Sequence, residues 1–236
     1  MPIDQSSISN RLLTLLSVSD YALLRPHLEP VLLPLRRVLV AANEQIEHAY
    51  FLDSGIASVV AIREDNSSIE AGIYGREGVG GFAVLLGSDK APHEHFMQVA
   101  GEGHRIKSAD LQRAVQKSPA LQTLLLRFVH VFVAQSAQTT LANGLSNLDE
   151  RLARWLLMCN DRIDGDEIII THQFLSIMLG VRRSGVTDTI HILEGRGLIR
   201  AARGKITIRD RAKLERHAGT SYGLPEAEYR RLIGPF

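Results

Sequence analysis

IIITHQFLSIMLGVRRSGVTDTIHILEGRGLIRAARGKITIR, residues 168–209, carries the pattern of two short helices joined by a tight turn and followed by a hairpin. Thr171 stands where a hydroxyl can accept from an unpaired amide at the start of the helix HQFLSIML. Gly180 follows that helix at once, where a left-handed residue ends it and turns the chain. A second helix is expected from about Arg182 to the Gly195/Gly197 pair. Its Val186, Ile190 and Leu193 recur at helical spacing on a buried face, and Arg182, Arg183, Ser184, Thr187, Asp188 and His191 occupy the other. LIRAARGKITIR then alternates around Arg203-Gly204-Lys205, a hairpin tip with two cations beside a glycine. Together these elements make a winged helix-turn-helix.

The residue types suit duplex DNA. One helix fits the major groove, and an arginine on its first turn can make a paired contact with guanine, while Ser184, Thr187 and Asp188 offer shorter polar contacts. Arg203 and Lys205 on the wing suit phosphates, which give affinity and register but little sequence information. Thr171, His172 and Gln173 complete the candidate DNA-binding set. Residues 168–217 hold ten Lys/Arg against four Asp/Glu. A winged helix used for protein contacts is the competing use of such a face.

These residues also carry a family resemblance. ITHQFLSIMLGVRRSGVTDTIHILEGRGLI resembles the C-terminal DNA-binding domain of Crp/Fnr-type bacterial transcription regulators. The leading Ile170-Thr171, the turn glycine, the first-turn arginine and Leu193-Glu194 ahead of Leu198-Ile199 all match. By position Arg183 resembles the family's guanine-reading arginine. Ser184 replaces a frequent glutamate and Asp188 a frequent arginine, so the usual family operator does not carry over.

Charge divides along the chain. Residues 1–144 carry a net −2 and residues 145–236 a net +3, the pattern of a nucleic-acid module joined to something else. A 45% hydrophobic content excludes general disorder, and a single cysteine, Cys159, excludes an internal disulfide and a cysteine-ligated cluster. The N-terminal LLTLLSV is too short for a signal segment, and Gln122, Thr123, Arg127 and His130 interrupt the most apolar stretch. A cytoplasmic protein with no membrane span is expected.

Residues 6–30 read as one or two short helices. VLLPLRRVLV, HAYFLDSG, IASVVAIR, SIEAGIYG, GGFAVLLG, HFMQVAG and GHRIKS, between residues 31 and 108, read as short strands of a β-barrel or jelly roll. AYFLDSGIASVVAIRED resembles the central hairpin of the family's cyclic-nucleotide-binding roll, and YGREGVGGFAVLLG its glycine-led phosphate cassette. Gly80, Gly81, Phe82, Ala83, Pro92 and His93 are the candidate effector pocket. The family's ribose-binding glutamate falls at Gly81 and its phosphate-binding Arg-Ser pair near Pro92-His93. A phosphate buried without that guanidinium loses a charge-assisted paired contact, so cAMP is not expected to bind and no cofactor is assigned. His93-Glu94-His95 would put two imidazoles on one face of a strand, which supports a second reading as a metal-dependent cupin-like enzyme.

From Ser118-Pro119 a long helix is expected, with Leu121, Leu124, Leu125, Phe128, Val131 and Phe132 forming a stripe wide enough to bury against a second copy. Asn147 to Glu150 opens the next helix with acids in its first turn. The expected protein is α+β: an N-terminal double-stranded β-helix (jelly roll) over 1–117, a dimerisation helix over 118–145, a winged helix-turn-helix over 146–219 and a tail over 220–236. As a homodimer it would bind a palindromic operator, with no catalytic residues and with RNA polymerase as a further partner that the resemblance implies.

Overall fold

The computed structural model describes residues 3–65 and 68–236. Two short helices, α1 (Arg11–Thr14) and α2 (Val18–Leu24), lead into β1 (Glu29–Leu33), β2 (Val38–Val40), β3 (His48–Leu52), β4 (Ile56–Ile62), β5 (Ser68–Tyr74), β6 (Val79–Gly80), β7 (Glu94–Val99) and β8 (Gly101–Lys107). Helices α3 (Ser108–Lys117), α4 (Pro119–Leu145) and α5 (Leu148–Asn160) follow, then β9 (Glu167–Ile169), α6 (His172–Met178), α7 (Arg183–Gly195), β10 (Ile199–Ala202), β11 (Lys205–Ile208), α8 (Arg211–Ala218) and α9 (Leu224–Leu232).

The chain forms two compact units. The first takes residues up to Val59, Ile73–Val131 and Tyr229–Phe236; the second takes Val60–Gly72 and Phe132–Glu228. Two four-stranded sheets, in the orders β1-β8-β3-β6 and β2-β7-β4-β5, make the expected roll. Phe51, Ile56, Tyr74, Met97 and Ile106 are completely buried, on strands that are largely covered on both faces. Two expected strands differ. VLLPLRRVLV breaks into β1 and β2, because Pro34 lies between them and Arg36 takes a left-handed φ of 66°. GGFAVLLG is a 3-10 turn over Phe82–Leu86, because Gly81 and Gly87 at its ends are left-handed, with φ of 74° and 85°. A Cβ at Gly81 would lie 2.8 Å from the His48 carbonyl, so close backbone approach as well as conformation requires glycine there.

The roll is filled by its own rings. Phe82 lies 5.3 Å from His95 and 6.3 Å from Phe128 on α4, and the Tyr74 hydroxyl lies 3.3 Å from His95 Nδ1. Burial, with a smaller contribution from His93, lowers His95 to a pKa of about 3. The His93/His95 pair does not share a face: His93 is exposed before β7 begins, and His95 is buried inside it. Among the described residues no group of three or more His, Cys, Asp or Glu side chains is placed to hold a metal ion.

By length and composition α4 would pass for a membrane span. Its apolar face is instead covered by the chain itself. Leu121, Leu125, Phe128, Val131 and Phe132 are all buried in the single chain and Leu124 is half-buried, so the stripe expected to meet a second copy belongs to the protein's own core. Phe128 packs where Gly78 leaves room for it, and Phe132 where Gly72 does. The helix face left open runs through Leu126, His130, Val133, Ala137, Leu141 and Gly144.

The tail forms α9 and then returns to the first unit. Tyr229, fully buried, donates its hydroxyl to the Glu77 carbonyl at 3.1 Å. Arg127 donates to Leu232 O at 2.9 Å and Arg11 to Pro235 O at 3.2 Å, with the Arg11 guanidinium 5.9 Å from the centre of the Phe236 ring.

Two outcomes test this interior. Tyr229→Ala should destabilise the protein by about 3–5 kcal/mol in urea unfolding, as expected for removing a buried ring, whereas Tyr229→Phe should cost about 1 kcal/mol, the net value of one hydrogen bond. Equal losses would mean that the ring contributes no packing. Between about pH 6.5 and 3 the unfolded chain takes up a proton at His95 that the folded chain refuses, so stability should fall as pH falls through that window. His95→Gln should flatten the slope of unfolding free energy against pH by up to about 1.4 kcal/mol per unit; an unchanged slope would remove His95 as its source.

Candidate nucleic-acid interface

Local chemistry places each part of the second unit's reading head. The Thr171 hydroxyl accepts from Phe174 N at 3.2 Å and caps α6. Gly180 takes φ of 63°, Val181 N closes back on Ser176 O at 2.9 Å, and Arg151 of α5 donates to Leu179 O. The free carbonyls at the end of α6 are thus satisfied by the turn and by one guanidinium. Val186, Ile190 and Leu193 are buried as the helical spacing requires. α5 starts in a capping box formed by Asn147 and Glu150, and Trp155, buried on that helix, donates to Glu70 Oε1 at 2.8 Å.

The wing is an antiparallel pair, β10 with β11, extended by β9 on the far side of β11. Gly204 turns its tip with φ of 77°. Ala201 N donates to Glu194 Oε1 at 2.7 Å, which pins the wing to α7. An open concavity of about 870 Å³ lies between helix and wing, lined by Thr171, His172, Gln173, Arg183, His191, Ala202 and Arg203 among others. Arg182, Ser184 and Asp188 are exposed on α7. Arg182 is the N-cap residue and makes no side-chain capping bond, so it leaves first-turn amides of α7 to other partners. The structure therefore brings Thr171, His172, Gln173, Arg183 and Arg203 to one concavity and keeps Arg182, Ser184 and Asp188 on the adjoining helix surface.

Besides Thr171, which caps α6, three of the expected contact residues, His172, Thr187 and Lys205, are engaged within the fold. The Thr187 hydroxyl lies 3.0 Å from His172 Nδ1 and bonds to Arg183 O at 3.2 Å, so it joins α6 to α7. The Lys205 ammonium pairs with Glu167 Oε2 across the sheet at 2.7 Å. Arg203 is the wing-tip cation that remains exposed. The sequence marked Glu194 only as part of the Leu193-Glu194 match, and its role as the wing's anchor, seven residues before Ala201, was missed. In the first unit, the residues of the candidate effector pocket differ in exposure: Gly80 and Gly81 are buried, Phe82 and Ala83 are half-buried, and Pro92 and His93 are exposed.

Residues 150–217 match the family model of the Crp-like helix-turn-helix domain. No curated protein matches the chain. Among solved structures, a Crp/Fnr-family regulator from Eubacterium rectale superposes with a TM-score of 0.69 at 17% identity, covering 88% of this chain and 97% of that one. FixK2 from Bradyrhizobium japonicum gives 0.69 at 15% identity over 79% of this chain and 95% of its own. The c-di-GMP-responsive regulator CLP of Xanthomonas campestris gives 0.66 at 17% identity over 82% and 100%. At these identities the superpositions carry the fold, and the domain match carries the reading head. Residues 150–217 thus form a Crp-like helix-turn-helix domain, and the whole chain shares the fold of Crp/Fnr-type regulators.

Proposed function

We propose that this DNA-binding transcription regulator acts as a homodimer on a two-fold-related operator, and that its β-roll takes no cyclic nucleotide. The observation that carries the DNA reading is the outward surface of α7. Arg182, Arg183, Ser184 and Asp188 stand on it, and Arg203 of the wing stands across the 870 Å³ concavity. Arg183 suits a paired contact with guanine, and Arg203 suits the adjacent phosphates. A second copy fits the open face of α4, where Val133 and Leu141 are 60% and 49% exposed and Ala137 and Gly144 allow close approach. Two recognition helices related by that axis would read a palindrome.

The cyclic-nucleotide part rests on the filled interior. Phe82, Tyr74, His95 and Phe128 meet inside the roll, and the candidate pocket residues include no arginine or lysine to hold a phosphate. A metal-dependent enzyme is the weaker reading, since its histidine pair is split between surface and core. A regulator of this type works in the cytoplasm, where its DNA and RNA polymerase are.

Fluorescence anisotropy on duplex DNA tests the head. Binding should weaken with salt at a log–log slope steeper than about −5, as for a dimer neutralising six or more phosphates. Arg183→Ala should remove about 1–3 kcal/mol of discrimination at one base pair per half-site; equal loss on specific and random DNA would count against base reading. Val133→Glu with Leu141→Glu tests the dimer, because opposed carboxylates would face each other across the axis. Sedimentation should show monomers, with operator affinity reduced by at least tenfold. A double variant that stays dimeric would move the interface elsewhere.

A further inference from the structure

Asp188 is the anomaly on the surface meant for DNA. It lies four residues after Ser184, and therefore on the same side of α7, and it is exposed. Two of the other polar groups near it, on Thr187 and His191, are engaged, and Ser184 is uncharged. The Thr187 hydroxyl is held by His172 and the Arg183 carbonyl, and His191 Nδ1 lies 3.8 Å from Glu194. Among the described residues, the Asp188 carboxylate has neither a hydrogen bond nor an ion pair, so no partner within the fold accounts for it.

A bare carboxylate facing DNA is repelled by every phosphate it nears, and that repulsion acts on all sequences alike. Only a donor on a base edge can offset it. The major groove offers two amines, on cytosine and on adenine, and adenine sets its N7 acceptor beside the amine, where a second carboxylate oxygen would be repelled. Cytosine presents its amine without such a neighbour on the same base. We propose that Asp188 is a specificity-determining residue that selects cytosine once in each half-site. The inference rests on α7 being the recognition helix. Five residues separate Asp188 from Arg183, about 7.5 Å along a helix axis. Its cytosine therefore falls about two base pairs from the guanine expected for Arg183, within the same half-site.

Selection of binding sites from a randomised duplex pool, with the full chain and with D188A and D188N, tests this. The unaltered chain should enrich cytosine at one position per half-site. D188A should lose that preference by about 5- to 150-fold while the other positions stay unchanged. D188N should move it to adenine, because an amide offers the donor and acceptor that adenine's N6 and N7 require. If D188A tightens binding to selected and random DNA equally, the carboxylate only repels and the proposal falls. It also falls if D188A selects the same sequence as the unaltered chain. A chain that enriches no sequence at all would overturn the recognition-helix reading itself, and this inference with it.

Discussion

Gly180 holds φ of 63° between α6 and α7, in the region that a residue with a Cβ reaches only with strain. A Cβ there would also lie 3.1 Å from the end of the Ile69 side chain. The angle between the two helices depends on this one residue, and the rest of the head follows from that angle. α7 sits with Val186, Ile190 and Leu193 inward, and Arg183, Ser184 and Asp188 are left facing out. The same angle brings His172 within 3.0 Å of Thr187 and lets Glu194 reach the wing amide of Ala201. Each of these bonds is worth about 1 kcal/mol on its own, so they hold the helix where the turn has already put it.

The head was legible because its signals are local: a capping hydroxyl at Thr171, a turn glycine, a helical period and a glycine-tipped hairpin each occupy a few adjacent residues. The roll was legible as an architecture and less so in its parts. GGFAVLLG reads equally as strand or turn, since a short apolar run has no period to decide between them, and only the approach of the His48 carbonyl to Gly81 settles it. The amphipathic helix α3 escapes the strand-by-strand reading because the strand GHRIKS runs directly into its first residue.

The apolar stripe of α4 shows a different limit. This helix is apolar around most of its circumference, so sequence shows that much of it is buried and not by what. Leu121, Leu125, Phe128, Val131 and Phe132 went to the chain's own core, and the open row through Leu126, Val133 and Leu141 is the less conspicuous one. Gly72 and Gly78, far away in sequence, mark the covered side: each lacks a side chain where Phe132 and Phe128 come close. The aromatic filling of the roll has the same origin. Tyr74, Phe82, His95 and Phe128 come from four separate segments, and no spacing in the sequence announces that they meet.

The last eight residues belong to the first unit, and this fixes an order of assembly. Domains usually fold as they leave the ribosome, the earlier one first. Here Tyr229, which bonds to the Glu77 carbonyl, and Phe236, which covers Arg11, are translated only after the entire helix-turn-helix. The first unit therefore takes in segments translated both before and after the helix-turn-helix. In topological terms the reading head is an insertion within the first unit.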